Sequence, residues 1–233
     1  MPAHRTARER ARAELTAEIK DEARRQLADS GANGLSLRAV ARELGMVSSA
    51  LYRYFPSRDE LLTALIVDAY NALGDTLDTA SASASASGGS PADRWRAAAH
   101  ALRSWARTHP HEYALLYGTP VPGYRAPDDT IVPAGRVPGA FLWIARDAWH
   151  AGDLPVNGAE PDDTLRTQAR TIATALDLSG LPEVVILRAV DAWTQLFGTV
   201  ALEFTGQFAN TLDPADAYFA RAVELQLRTA GLA

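Results

Sequence analysis

A chain of 233 residues is long enough to bury a sizeable core, and two unequal domains fit its length and pattern best. Its 47% hydrophobic and 22% charged residues, with no cysteine, are those of a folded soluble protein and exclude disulfides, thiolate metal sites and cysteine nucleophiles. The net charge of -5 excludes a wholly basic nucleic-acid coat but hides an asymmetry. Residues 1–60 carry eleven Arg/Lys against nine Asp/Glu and the remainder twelve against nineteen, so contact with phosphate is expected at the N-terminal end.

No apolar run approaches the ~20 residues needed to span a bilayer. The start from Met1 to Arg12 has Arg5, Arg8, Arg10 and Arg12 but no apolar segment or small-residue cleavage site, so no secretory signal is read there. A cytoplasmic protein without a membrane partner is expected. Short charged termini are usually disordered, although this one could add nonspecific affinity for DNA.

In chain order, apolar residues at Ala11, Leu15, Ile19, Ala23 and Leu27 predict an amphipathic helix from Glu9 to Ser30 that stops near Gly31. Ser36 caps a second, short helix with Leu37, Val40, Ala41 and Leu44 inward, and Gly45 ends it. Val47, Leu51 and Phe55 then share one face of a third helix that Pro56 terminates. Ser57 and Glu60 have capping-box spacing, and Leu61, Leu62, Leu65, Ile66, Ala69 and Leu73 carry a long fourth helix toward Thr79.

The small, aperiodic stretch Ser81 to Pro91 reads as a linker or mobile loop. Beyond it, helices are expected over Ala92 to Thr108, Pro110 to Tyr117, Val137 to Ala151 and Asp163 to Leu178, with a Gly/Pro-rich connection from Gly118 to Pro138. The last two helices, 182–206 and 214–229, are apolar over more than one face. The first has Ile186, Val190, Trp193, Phe197, Val200 and Phe204 in one stripe and Leu187, Leu196 and Leu202 outside it. The second has Tyr218, Ala222 and Leu225 beside Phe219, Val223 and Leu227. Helices of this kind need two partners, so homodimerisation through them is expected.

Two short helices around a Gly turn form a helix-turn-helix whose second member, Ser48 to Tyr54, enters the major groove. With Val47, Leu51 and Phe55 inward, Ser49, Tyr52 and Arg53 face outward, and Ser48 and Ala50 lie at the start of the helix. Tyr and Arg reach phosphates, small Ser groups allow close approach to bases, and Ala50 suits a thymine methyl. Arg38 is placed for guanine and Arg58 for backbone phosphate.

The stretch LSLRAVARELGMVSSALYRYFPSRDELL resembles the helix-turn-helix of the TetR (tetracycline-repressor-like) family, over roughly residues 9–70. That resemblance implies DNA contacts at Arg38, Ser48, Ser49, Ala50, Tyr52, Arg53 and Tyr54, with Arg58 as the basic phosphate contact. The family often has a small polar cap where Val47 stands, so capping shifts to Ser48. Farther on, HPHEYALLYGTPVPGY and AWTQLFGTVALEFTGQF are similar to the WHG type of TetR C-terminal domain, with Trp193 and Gly198 present and Phe197 in place of the His. The resemblance implies an all-α dimer, a three-helix DNA-binding domain plus a helical bundle whose bound effector changes the separation of the reading heads.

The division expected is a DNA-binding domain at 9–56, a connecting helix at 57–80 and an effector-binding and dimerisation domain at 81–233. A two-fold dimer sets its recognition helices about 34–36 Å or slightly more apart, which calls for a palindromic operator in double-stranded DNA. Candidates to line the pocket for an unidentified small-molecule effector are Trp105, Tyr113, Tyr117, Phe141, Trp143, Trp193 and Phe197, with core packing the competing role at each.

No metal, cofactor or catalytic residue is assigned. His109, His111 and Glu112 lack zinc-motif spacing, and Asp128/Asp129 and Asp162/Asp163 read as turn or cap residues. The alternative is a helical ligand-binding or enzymatic protein with a non-functional DNA-binding remnant; another is a DNA-binding protein without an inducer. Neither the operator nor the choice between repression and activation is written in a motif.

Overall fold

The computed structural model describes residues 6–156 and 159–233. Among these residues the regular structure is all helical. The helices are α1 (Ala7–Gly34), α2 (Leu37–Glu43), α3 (Ser48–Leu51), α4 (Arg58–Ala86), α5 (Pro91–Thr108), α6 (Pro110–Tyr117), α7 (Ile131–Ala151), α8 (Asp163–Leu176), α9 (Glu183–Phe204) and α10 (Asp216–Ala230), with a 3-10 turn at Asp128–Thr130. Two compact units result: residues up to Ala69 with His111–Thr130, and Tyr70–Pro110 with Ile131–Ala233. The division falls inside α4, so the boundary expected near residue 81 lies within a continuous helix.

In the first unit, α1 starts with a capping box. Thr6 Oγ1 accepts from the Glu9 N–H at 3.2 Å, and the Glu9 carboxylate accepts from the Thr6 N–H at 2.7 Å, satisfying two donors that a helix start leaves open. Ile19, Ala23 and Leu27 are buried, whereas Ala11 is exposed and Leu15 half-buried, so only the later part of the expected stripe meets the core. Gly31, at φ 68° and ψ 177°, kinks the helix in a conformation that a side chain would disfavour. Just beyond, Gln26 Oε1 accepts from the Ser36 N–H at 3.3 Å, and Ser36 Oγ accepts from the Ala39 N–H at 3.4 Å. These bonds fix the corner at which α2 begins.

The second unit corrects two expected boundaries. Ser81–Ala86, expected as linker, is the last part of α4. Its alanines favour helix, and Ser81 is buried, its Oγ accepting from Arg94 Nε at 3.2 Å. Helix α7 starts at Ile131, ahead of the expected Val137, and runs through Pro138. Pro133 sits in the first turn, where a missing N–H costs little. The interior proline, worth about 3 kcal/mol against a helix, is offset by burial of Val137, Ala140, Phe141 and Leu142 around it. Such packing is invisible to a rule that stops helices at proline.

Trp95 of α5 meets Phe141 of α7 edge-on at 4.9 Å, joining the buried aromatic centres of those helices. Around this core, arginines tie helices together. Arg103 of α5 reaches Glu203 of α9 at 2.7 and 2.8 Å and Asp216 of α10 at 2.7 Å, while Arg96 grips Glu224 of α10 at 2.6 and 3.0 Å. Arg136 of α7 rests on Gly74 of α4 and bonds Asp75 and Asp78 at 2.6 and 2.8 Å. Helix α9 corrects a further expectation, because by length and composition alone it could cross a membrane, with a mean hydropathy of 1.3 over its most apolar window. It instead packs against α5, α7, α8 and α10.

Candidate DNA interface

The reading segment is anchored from below and open above. Leu51 is completely buried and Phe55 nearly so, and together they fix the roll of α3. Ser48, Ser49, Tyr52 and Arg53 are consequently exposed, as is Arg38 on α2, while Ala50 and Tyr54 are half-buried. The structure thus brings onto one small helix-turn-helix the Arg, Tyr and Ser groups expected to face DNA. Regular helix ends at Leu51, and Tyr52–Tyr54 form turns rather than the last turn of a longer helix.

Two sequence expectations fail at this site. Val47 does not join Leu51 and Phe55 in the core; it is 70% exposed. Its extended backbone (φ -71°, ψ 138°) precedes α3 and its side chain makes no capping bond, so the i, i+4 spacing counted a residue that lies before the helix. Ser48 is the first helical residue, which places it inside α3 rather than at the capping position.

Arg58, at the start of α4, is engaged by the neighbouring backbone. Its Nη2 donates to the Ala32 carbonyl at 2.7 Å and its Nε to the Leu35 carbonyl at 3.1 Å, while Nη1 lies 3.4 Å from Asp59. The guanidinium therefore satisfies carbonyls freed where α1 ends and pins that end to the start of α4. That engagement gives Arg58 a structural role at the corner between α1 and α4, with its side chain 30% exposed.

One contact beside this segment escaped the sequence reading, which took Arg12 only as part of a charged start. Arg12 of α1 places its guanidinium 5.1 Å from the ring centroid of Tyr54 and directs Nη2 to the Arg53 carbonyl at 3.5 Å. No local spacing links residues 12 and 54, so only the folded chain reveals the pair.

Six of the seven aromatic candidates for an effector pocket lie against another ring, and the seventh, Trp143, is held by a hydrogen bond. Trp105 stacks on His109 at 4.9 Å, Tyr113 lies 5.3 Å from Tyr117, and Trp193 lies 5.1 Å from Phe197. Phe141 is taken up by Trp95, and Trp143 donates Nε1–H to the Leu176 carbonyl at 2.8 Å. Tyr113 and Tyr117 belong to the first unit and the other five to the second. Burial pushes the Tyr113 phenol up to about 12, which keeps it neutral. The second unit does hold a recess of about 310 Å³. Ala106, Pro110, Val200 and Phe204 supply its apolar wall, and Arg103, Arg107 and Glu203 its charged edge.

A buried anchor beneath exposed reading groups, carried on a short helix after a tight turn, defines a helix-turn-helix DNA-binding protein. Residues 19–65 match the family described as bacterial regulatory proteins, tetR family, and residues 95–225 match the tetracyclin repressor-like C-terminal domain. HTH-type transcriptional regulators of Mycobacterium bovis and Mycobacterium tuberculosis are each 43% identical over 203 residues, covering 85% of this chain and 84% of theirs. The crystal structure of the regulatory protein SCO4313 superposes with a TM-score of 0.77 at 39% identity, over 96% of this chain and 100% of that one. A TetR family transcription regulator from Shewanella shares the fold at 16% identity, with a TM-score of 0.58 over 93% of this chain and 95% of its own.

The chain belongs to the TetR family, and is a DNA-binding transcription regulator.

Proposed function

We propose that this regulator is a cytoplasmic, homodimeric repressor that leaves a palindromic operator when a small-molecule effector binds. The observation that carries the reading is the exposure of Arg38, Ser48, Ser49, Tyr52 and Arg53 above a fixed anchor. Ala50 and Tyr54 complete the surface, and Val47 adds an exposed apolar group suited to a thymine methyl. Residues 9–56 read DNA, α4 conveys the change of state, and residues 81–233 bind effector and dimerise.

Dimerisation is supported by exposed apolar groups on α9 and α10. Leu202, Tyr218 and Leu225 are 48, 38 and 41% exposed, while the opposite faces of both helices are buried. A second copy would cover them and account for the apolar character of α9 without a bilayer. For the effector, the recess beside Arg103 and Glu203 is favoured over the dispersed aromatics, because an occupant there would press on the tie between α5 and α9. An effector that prefers the wider spacing of reading heads weakens DNA binding by its differential affinity, and DNA weakens the effector equally.

The test is selection of bound duplexes from a random pool by the purified protein, followed by binding to the enriched sequence at two salt concentrations. An enriched palindrome, bound by one dimer and retained at the higher salt, is expected. Absence of enrichment, with binding that vanishes as salt rises, would leave only nonspecific phosphate contact and refute a sequence-specific regulator.

A further inference from the structure

We propose that Arg12 is a positioning residue for DNA reading, bracing the far end of the recognition segment through Tyr54 and the Arg53 carbonyl. The inference rests on the assignment of Tyr52 and Arg53 as DNA-reading groups. Helix α3 has four residues, too few to hold its own shape. Past Leu51 the backbone tightens. Arg53 N–H donates to the Ala50 carbonyl at 3.2 Å and Tyr54 N–H to the Leu51 carbonyl at 2.8 Å, both spanning three residues rather than four.

Leu51 and Phe55 anchor the inward side of this segment. From α1, the Arg12 guanidinium at 5.1 Å from the Tyr54 ring is within cation–π range, and its 3.5 Å approach to the Arg53 carbonyl touches the residue between Tyr52 and Tyr54. The Thr6–Glu9 capping box closes the start of α1, within two turns of Arg12. A rigid helix thus supplies a brace that the short one lacks, and the order of α1's first turns becomes a condition for correct placement of Tyr52 and Arg53.

An exposed arginine beside a DNA-reading surface could instead grip phosphate, and the two roles differ in salt dependence. A direct contact contributes about one unit to the slope of log K against log salt, whereas a brace changes affinity at an unchanged slope. Affinity for the duplex enriched by the wild-type protein would be measured across a salt series for Arg12→Ala, Arg12→Lys, Tyr54→Leu and the Arg12→Ala/Tyr54→Leu pair. Arg12→Ala is expected to weaken binding roughly three- to tenfold, the range of a cation–π contact, without changing the slope. The pair should bind no worse than its weaker single variant.

Arg12→Lys, which keeps the charge but loses the planar fork, should restore only part of the affinity. A slope reduced by about one, additive losses and full rescue by lysine would overturn the proposal in favour of a phosphate contact. Unchanged affinity in Arg12→Ala would overturn it outright. If the wild-type protein enriches no sequence, the DNA-reading assignment falls first, an outcome separate from any variant's behaviour.

Discussion

The two compact units draw their order from different ranges of the sequence. In the first, the helix-turn-helix lies within the single stretch from Leu37 to Phe55, its anchors and exposed groups alternating inside one turn or two. In the second, the decisive polar ties span the chain. Arg103 meets Glu203 and Asp216 at separations of 100 and 113 residues, and Arg96 meets Glu224 at 128. A surface that reads DNA can be encoded locally because its residues need only be exposed on a fixed backbone. A helical bundle assembled from segments far apart in the chain is held by contacts that are distant in sequence.

The largest effect should come from stripping the reading surface while leaving its anchors. Tyr52→Ala with Arg53→Ala removes two exposed groups, and each well-placed base or phosphate contact is worth about 1–3 kcal/mol. Specific binding is expected to fall by about a hundredfold or more, with helical content and dimer mass unchanged. Retained specific binding by a folded double variant would break the contrast at its root.

Next in size is Arg103→Ala, in the second unit. The Arg103 side chain is only 9% exposed and packs over Phe219 at 4.8 Å. Its removal leaves Glu203, 19% exposed, without its cation, which should cost about 2–3 kcal/mol of stability. Arg103→Met, which keeps much of the volume, should lose less if packing over Phe219 matters and just as much if charge alone does. Chemical denaturation reads both values. Unchanged stability in Arg103→Ala would show that the ties only decorate an apolar core.

The same difference of range governs what could be read without the structure. Ser36, Gly45 and Ser57 mark helix ends by chemistry contained in one or two turns, and the helices begin and stop beside them, whereas α3 already stops at Leu51, ahead of Pro56. Val47 misled because a four-residue helix offers too few repeats to show where its period begins. Pro138 misled for the opposite reason, since burial of α7 outweighs a local preference. Ser81–Ala86 lack an apolar stripe, yet the Arg94 bond to Ser81 and the propensity of alanine suffice for helix. Arg58 and Arg12 carried the right charge for DNA, but their partners, the Ala32 and Leu35 carbonyls and Tyr54, are set by tertiary contacts. The aromatic candidates were legible as apolar, whereas which ring each one lies against is set by tertiary packing that composition does not give.

A smaller effect tests whether the long-range ties shape local sequence choices in turn. A Cβ at Gly74 would lie 2.9 Å from Arg136 Nε, so Gly74→Ala should displace the guanidinium from Asp75 and Asp78. Alanine normally adds about 1 kcal/mol inside a helix relative to glycine. That gain should be largely absent in the wild-type background and should return when Arg136 is first replaced by Ala, a non-additivity read from the melting temperatures of the four proteins. A full gain in both backgrounds would show that Arg136 moves aside without loss.

The smallest effect distinguishes the units by pH. Glu224 is held below its ordinary range chiefly by its hydrogen bond from Arg96, and Asp216 chiefly by its hydrogen bond from Arg103. A carboxyl whose folded value is depressed contributes stability above its unfolded value and loses it as pH falls through the folded one. Both contributions should therefore be complete at neutral pH and fade on acidification below the ordinary carboxylate range. Both groups are solvent-accessible, so screening keeps the effect modest and salt should shrink it further. The difference in melting temperature between wild type and Glu224→Gln should narrow as pH drops through this window. A difference that persists at low pH would assign the contribution of Glu224 to the shape of its hydrogen bonds with Arg96 rather than to its charge, and the second unit would then depend on directional contacts much as the first does.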